Sequence, residues 1–341
     1  MRRWLLWLTL PCLLSCGTPP PSPTTSGETA TTSEASMPEI DLDQPRLVVL
    51  GTVQDGGLPH AGCSCVRCEA AHEDPSKRRL VASLGLLIPG EGDERTQVHL
   101  VDASPDVPAQ LRLLRPYRDW DAGRVDRTPV DGVLLTHAHV GHYLGLAHFG
   151  FEVMHAREVT AHCSQKMAAF LQGHGPWSQL VRKNEITISA FEPGDTVSLG
   201  GGVEFQAVQV PHRDELSDTM GFLLRGPRAT VFYVPDTDSW DAWTTRSITE
   251  FLTQEKVDVA IVDGTFYSLE ELPGRKVTSI GHPLIEQSLD LFGDAVQAGE
   301  LEVWFTHLNH SNPALEDDST ARRELERRGF GVLAEGQVFE L

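Results

Sequence analysis

Hydrophobic and polar positions alternate in short runs from Arg46 onwards, and turn residues separate the runs. Short runs rich in β-branched residues are typical of strands, whereas apolar positions repeated every three or four residues are typical of helices. The predicted strands cover residues 46–50, 81–88, 97–101, 132–135, 203–210, 230–234, 257–262 and 302–306. The predicted helices cover residues 107–114, 143–152, 164–172, 239–253, 283–291 and 319–328. Strands interleaved with fewer helices favour two packed sheets with helices outside, rather than a regular βαβ series.

Residues 1–15 lie outside this pattern and predict a signal peptide. Arg2 and Arg3 precede an apolar run that is too short to span a bilayer and that ends in Leu13-Leu14-Ser15-Cys16. This ending resembles the bacterial lipobox, which implies cleavage before Cys16 and acylation of its thiol. Plain secretion without the lipid is the alternative. The lipid would anchor the protein in the bacterial cell envelope, on the outer membrane, in the periplasm or at the cell surface.

Residues 16–45 are rich in Pro, Ser, Thr and Gly, a composition that buries too little apolar surface to fold. They predict a disordered tether that begins at the lipidated Cys16. After residue 45 the sequence shows no internal repeat and no further break in composition. Residues 46–341 are therefore predicted to form a single domain.

The net charge of −20 over the whole chain restricts the partners of the protein. An acidic surface repels phosphate backbones, which proteins bind through Lys and Arg. We therefore expect a small-molecule substrate and no nucleic-acid partner, besides the membrane that the lipid anchor would contact. The sequence leaves the oligomeric state open.

Five residues that can bind metals come shortly after predicted strands: His137, His212, Asp236, Asp263 and His307. Side chains at strand ends are held by the rigid strands, and the following loops open them to ligands. One such position would carry little information, whereas five of them predict a single site at one rim of the sheets.

Three imidazoles lie within the segment Thr136-His137-Ala138-His139-Val140-Gly141-His142. Neutral imidazole is a common ligand of zinc and iron. His137 and His139 can face the same way from an extended chain, while His142 falls at the start of the following helix. The segment therefore predicts a metal site rather than three unrelated surface histidines.

This segment resembles the His-x-His-x-Asp-His motif of the metallo-β-lactamase superfamily, and residues 210–212, 233–237 and 305–307 resemble its later motifs in the same order. The resemblance covers about residues 46–341. It implies an α+β fold, the αββα sandwich of two mixed sheets with external helices. The implied ligands of one metal are His137, His139 and His212, and those of a second are His142 and His307, with Asp236 between the two.

One position departs from this motif, because Gly141 stands where the superfamily has an aspartate. That carboxylate helps to hold the second metal and to orient the attacking water. Without it, a three-ligand open site remains. The alternatives are a weaker second metal, a mononuclear site, or replacement of the carboxylate by Asp55, His60 or Asp214.

A second cluster, Cys63, Cys65 and Cys68, places three thiols on one tight loop. A structural zinc ion requires four ligands in a tetrahedron, and His310 is the candidate for the fourth. The arrangement resembles that of the phosphonate-pathway cyclic phosphodiesterase of the superfamily, which implies one structural zinc ion. For an exported protein the alternative is a disulfide, in which Cys163 pairs with the odd cysteine.

Residues 50–60, just before these cysteines, resemble the opening of the pyrroloquinoline-quinone biosynthesis protein B group, as do residues 263–267, 281–283 and 307–313. A Gly-Gly pair permits a tight turn and the close approach of a ligand to the backbone. The member of the quinone pathway is cytoplasmic and has no lipobox, so we expect a different substrate here. The candidate substrate-binding residues are Asp55, Gly56, Gly57 and His60.

Together these patterns predict a metal-dependent hydrolase of a small ester or phosphodiester, in which a bound metal activates water. We expect one or two catalytic zinc ions, with iron or manganese as alternatives, and one structural zinc ion. Two other functions stay open: a metal-dependent oxidase or hydroxylase related to quinone-cofactor biosynthesis, and a non-catalytic surface binding protein. The catalytic candidates are Asp236, Asp214, His282 and Tyr267.

Overall fold

Two seven-stranded sheets pack against each other, and each combines parallel with antiparallel pairs. The strands of the first sheet are β1 Arg46–Gly51, β2 Ser83–Ile88, β3 Gln97–Val101, β4 Gly132–Leu134, β5 Val159–Ser164, β6 Ile186–Phe191 and β14 Val338–Glu340. Those of the second are β7 Thr196–Gly200, β8 Val203–Gln209, β9 Met220–Arg225, β10 Thr230–Val234, β11 Val259–Asp263, β12 Glu302–Thr306 and β13 Gly331–Val332. Their orders are β14-β1-β2-β3-β4-β5-β6 and β13-β12-β11-β10-β9-β8-β7.

Helices cover the outer faces of the two sheets. The α-helices are α1 Val66–Glu73, α2 Val107–Leu114, α3 Val140–Tyr143, α4 Gln165–Gly173, α5 Trp177–Arg182, α6 Ile248–Gln254, α7 Ile285–Gln297 and α8 Thr320–Arg327. Apolar side chains of α2, α4 and α5 pack on the first sheet, and those of α6, α7 and α8 pack on the second. The predicted αββα sandwich, a single domain with two mixed sheets, is confirmed.

The core between the sheets is formed by side chains that point inward from both. Along β8, Val203, Phe205 and Ala207 are buried and alternate with more exposed residues, as expected for a strand with one covered face. Residues of β10 and β11 are buried almost throughout, because helices cover their other face. Each fully buried large apolar side chain contributes about 1.5–3 kcal/mol, which makes this layer a rigid support for the strand ends.

The computed structural model describes residues 42–90, 92, 94–118, 120, 123, 125–274 and 281–341. The predicted signal peptide, Cys16 and the tether as far as residue 41 lie outside these residues. Among the residues described, no helix has both the length and the apolar character needed to cross a membrane.

Two predicted helices are shorter than expected, for identifiable reasons. In place of a helix over 239–253, a 3₁₀ turn at Trp240–Ala242 precedes α6, whose start is fixed by a capping box between Ser247 and Glu250. In place of a helix over 143–152, α3 ends at Tyr143 and continues as a 3₁₀ segment. There Gly145 lies so close to the backbone of Ser104 that tertiary contact decides the local geometry.

The carboxyl ends of several strands meet at one rim. Strands β10, β11 and β12 run parallel, so Asp236, Asp263 and His307 emerge at the same edge of the second sheet. His137 follows β4 of the first sheet, and His212 follows β8 of the second. The rim therefore gathers residues that are far apart in the sequence.

Candidate metal centre

Four side chains converge at this rim as one tetrahedral ligand set. His139 Nδ1 lies 2.9 Å from His137 Nε2 and 3.3 Å from His212 Nε2. Asp236 Oδ2 lies 3.1 Å from His212 Nε2, 3.3 Å from His137 Nε2 and 3.9 Å from His139 Nδ1. Zinc bonds of about 2.0–2.1 Å in a tetrahedron place neighbouring ligand atoms about 3.3–3.4 Å apart. These atoms therefore fit one metal ion, and we call this place the first position.

The imidazole rings of this set are oriented by hydrogen bonds on their outer edges. Thr136 Oγ1 lies 3.0 Å from His137 Nδ1, and Asp238 Oδ1 lies 3.3 Å from His212 Nδ1. His139 is turned the other way, because Glu215 Oε2 lies 3.1 Å from its Nε2 and leaves Nδ1 facing the centre. Partners of this kind fix the ring and the tautomer of a metal ligand.

A second group of side chains that could hold a metal ion lies beside the first and consists of Asp55, His142 and His307. His142 Nε2 lies 3.9 Å from Asp236 Oδ2, so Asp236 stands between the two sets. In the part of the chain that the structure describes, Asp55 Oδ1, His142 Nε2 and His307 Nε2 are buried without a hydrogen-bond partner. Buried polar atoms are nearly always paired, so three unpaired ligand atoms at one place fit a second metal position.

His307 of this second position and Asp102, which contacts His142, both have a strained backbone. Asp102 has φ of 66° and His307 has φ of 60°, although neither is a glycine. Such conformations cost of order 1–3 kcal/mol and are concentrated at functional sites. Asp102 Oδ2 lies 2.7 Å from His142 Nδ1, and Thr265 Oγ1 lies 3.0 Å from His307 Nδ1, so each ring presents Nε2 to the centre.

The pKa values of His142 and Asp236 show that the metal centre favours positive charge. Burial would lower the pKa of His142, but Asp102, Asp55 and Asp236 raise it to about 9. Burial would raise the pKa of Asp236, yet its hydrogen bonds with His137, His139 and His212 hold it well below the usual range. The carboxylates therefore hold positive charge at this rim, as a proton on His142 when no metal is bound.

The catalytic candidate His282 lies beside the centre. Its Nδ1 is 2.8 Å from Asp263 Oδ2 and 3.3 Å from Asp236 Oδ1. Burial would lower its pKa, but Asp263 and Asp236 raise it to about 9. His282 is therefore placed to hold a proton at the edge of the second position.

The other two catalytic candidates lie elsewhere. Asp214 is exposed and accepts a hydrogen bond from Thr219 Oγ1 at 3.3 Å. Tyr267 packs against the outer core of the second sheet, where burial, Glu286 and Glu324 raise its pKa. Neither belongs to the ligand groups found among the described residues, so the geometry gives neither a direct role.

The predicted cysteine site is present as one compact cluster. The sulfur atoms of Cys63, Cys65 and Cys68 and a ring nitrogen of His310 all lie within 4.8 Å of one another. His310 Nδ1 is buried and, among the described residues, has no hydrogen-bond partner. Cys163 is buried in β5 and forms no disulfide with them, and burial raises its pKa to about 12. The geometry thus fits a structural zinc ion rather than the alternative disulfide.

The candidate substrate-binding residues divide between the two sites. Asp55 lies at the metal centre, whereas the His60 ring contacts the His310 ring at a tilt of 38°, with 4.3 Å between ring centroids. A Cβ atom at Gly56 would come within 2.3 Å of the His60 ring, and Gly57 has φ of +73°. The Gly-Gly pair therefore serves a tight turn that brings the two sites together.

Sequence reasoning missed the residues that orient the ligands, among them Asp102, Thr136, Glu215 and Thr265. A signal existed for Asp102, because it directly follows the predicted strand 97–101. The same strand-end rule that selected Asp236 would have selected it. Thr136 and Thr265 gave no comparable signal, since a threonine beside a strand end is ordinary.

An αββα sandwich with two adjoining ligand sets of histidine and aspartate at its rim defines a protein of the metallo-β-lactamase fold. The chain belongs to the β-lactamase superfamily, because residues 98–308 match the family described as "Beta-lactamase superfamily domain".

Curated relatives extend the similarity over almost the whole domain. "Coenzyme PQQ synthesis protein B" of Rhodopseudomonas palustris (strain TIE-1) is 26% identical over 324 residues, covering 85% of this chain and 98% of the relative. The protein of the same name from Pseudomonas protegens is 26% identical over 319 residues, covering 86% and 99%. These relatives support the predicted branch of the superfamily.

Solved structures agree on the fold. Zinc-bound PqqB from Methylobacterium extorquens has a TM-score of 0.70 at 22% identity, covering 87% of this chain and 100% of that one. A diphosphatase from the PhnP family has a TM-score of 0.59 at 20% identity, covering 87% and 97%. At these identities the likeness concerns the fold alone.

Proposed function

We propose that this protein is a metal-dependent hydrolase of a small ester or phosphodiester, with a two-zinc centre at the rim of its sheets. The observation that carries the proposal is that Asp236 lies between two adjoining groups of ligand atoms, one at tetrahedral spacing and one buried without hydrogen-bond partners. Zinc suits the first position, where three imidazoles and one carboxylate meet at tetrahedral spacing. Zinc, when bound, supplies Lewis acidity and lowers the pKa of water.

The chain's own residues provide the remaining steps. Asp236 lies near ligands of both positions and would contribute a carboxylate to each metal. His282, held by Asp263 at 2.8 Å, carries a proton at the edge of the second position and can donate it to the leaving oxygen. The buried, apolar layers behind the rim keep these groups in place.

The small-ester or phosphodiester substrate is favoured by two independent features. The net charge of −20 makes polynucleotides poor partners. One structure of similar fold is named as a diphosphatase, which supports phosphoester chemistry as the first class to test.

Membrane attachment through Cys16 remains part of the proposal. Cell fractionation tests it, since Cys16→Ser should move the protein from the membrane to the soluble fraction, and an unchanged distribution would contradict it.

A second candidate is oxidation or hydroxylation of a small molecule related to quinone-cofactor biosynthesis, since the curated relatives are named for coenzyme PQQ synthesis. The two chemistries differ in the metal that they need. A mononuclear iron site with open positions suits oxygen chemistry, whereas two-zinc sites suit hydrolysis.

The test is an assay of residues 42–341 loaded separately with zinc, manganese or iron. Bis(p-nitrophenyl) phosphate and p-nitrophenyl acetate serve as probes, with and without oxygen. We expect zinc-dependent hydrolysis that is independent of oxygen. Activity that requires iron and oxygen would favour the second candidate, and metal-loaded protein without turnover of either probe would favour a binding protein.

A further inference from the structure

The space that the aspartate of the histidine motif would occupy at position 141 is filled by Asp55. A Cβ atom built on Gly141 would lie 1.9 Å from Asp55 Oδ1, 2.8 Å from Asp55 Cγ and 3.0 Å from Asp55 Cα. Contacts this short are forbidden, so the volume that a side chain at position 141 needs is already occupied by the Asp55 carboxylate.

The carboxylate of Asp55 points at the second metal position. Its Oδ1 lies 3.8 Å from His142 Nε2 and 4.0 Å from His307 Nε2, and the three atoms lie within 4.8 Å of one another. These separations are too long for hydrogen bonds. They leave room for an ion between the three atoms, since zinc–ligand bonds are about 2.0–2.2 Å long.

The backbone holds Asp55 in this position. The loop after β1 pairs with the chain that follows β12, through Gln54 N–H to the carbonyl of Leu308 and Leu308 N–H to the carbonyl of Thr52, both at 3.0 Å. Gly57 N–H donates to the carbonyl of Gln54 at 2.9 Å and closes the turn around Asp55. Asp55 is thus fixed relative to His307, the ligand with which it would share an ion.

We propose that Asp55 is a ligand of the second metal and replaces, from the loop after β1, the aspartate that position 141 lacks. The proposal rests on the proposed function only in that the centre binds two metals. A carboxylate can reach the ion either from position 55 or from position 141. The two side chains cannot be present together, so glycine at position 141 accompanies aspartate at position 55.

Moving the carboxylate from position 55 to position 141 tests this proposal. If Asp55 had only a structural role, an aspartate at position 141 would not restore metal binding. We compare Asp55→Asn, Asp55→Gly, Gly141→Asp and the double variant Asp55→Gly/Gly141→Asp, with Asp290→Asn on the outer helix α7 as the control. Zinc per chain is measured by mass spectrometry after dialysis, and zinc affinity by competition with a chelator, so the readout does not depend on hydrolysis. Thermal unfolding reports whether each variant folds.

We expect three zinc ions per chain in the wild type and in the control. Asp55→Asn and Asp55→Gly should each hold two, with affinity for the third reduced at least tenfold, in line with the loss of one ligand. Gly141→Asp alone should lower thermal stability, and the double variant should regain the third ion. Three ions held with unchanged affinity by Asp55→Asn would overturn the proposal, as would a double variant that binds no better than Asp55→Gly. A wild type that holds three ions without hydrolysing the probes would contradict the proposed function alone.

Discussion

The cysteine site and the histidine centre differ in how the sequence assembles them. Three of the four cysteine-site ligands lie within six residues, before and in the first turn of α1, and one of them, Cys65, is exposed. The ligands of the histidine centre come from five separate chain segments, and His142 and His307 are completely buried. The cysteine site needs only one distant residue, His310, to complete a mainly local set of ligands, whereas the histidine centre exists only after both sheets have packed.

The two sites nevertheless share chain segments. Asp55 and the cysteines follow one another along the same loop, and His310 comes three residues after His307. Arg67 Nη1 donates to the carbonyl of His310 at 2.5 Å, and the His60 ring contacts the His310 ring. Loss of the cysteine site should therefore disturb the second metal position, while loss of the histidine ligands should leave the cysteine site intact.

The largest effect is expected for Asp236→Asn. The change removes the charge that faces both metal positions, and metal catalysis contributes several kcal/mol, so turnover should fall by roughly 10³-fold. Kinetic assay of the probe esters together with metal analysis checks this, and the cysteine site should keep its ion. A fall in turnover smaller than about tenfold would show that Asp236 does not organise the centre.

Next in size is the effect of Cys68→Ser, matched with Cys163→Ser, since both cysteines are buried but only Cys68 belongs to the cluster. Removal of Cys68 should release one zinc ion and lower Tm by at least about 5 °C, at about 2–4 °C for each kcal/mol lost. Zinc affinity at the second position should fall as well. Equal effects of the two substitutions, measured by calorimetry and metal analysis, would refute the coupling.

The third prediction concerns pH. The pKa of His142 is raised to about 9 when no metal is bound, so its ring carries a proton at lower pH and the ion must displace it. Zinc affinity at the second position should therefore fall by up to about tenfold for each unit as pH drops from 8 to 6. Competition titrations at several pH values test this, and an affinity independent of pH would contradict it.

The residues at the strand ends could be predicted because the hydrophobic pattern of a strand and the spacing of a histidine motif are both local in the sequence. In the segment 136–142 and in the cysteine cluster, the spacing of the histidines and cysteines along the chain is enough to predict a metal site. The choice among Asp55, His60 and Asp214 as replacement for the missing carboxylate could not be made, because it depends on which loop the fold brings against Gly141.

Strand β6 is also absent from the predicted strands. Its segment Ile186-Thr187-Ile188-Ser189 alternates apolar and polar residues, the local pattern of a strand with one covered face. The run is short, and the structure identifies it as a strand by its pairing with β5 along six residues. Tertiary contact therefore decides where a short local pattern is ambiguous.

The most direct test of a two-metal centre completed by Asp55 is anomalous diffraction at the zinc edge from zinc-loaded crystals of residues 42–341. We expect three anomalous peaks: one among Cys63, Cys65, Cys68 and His310, and two at the rim. The second of the rim peaks should lie about 2.0–2.2 Å from an Asp55 carboxylate oxygen. A single rim peak, or two peaks with Asp55 turned away from both, would contradict this assignment.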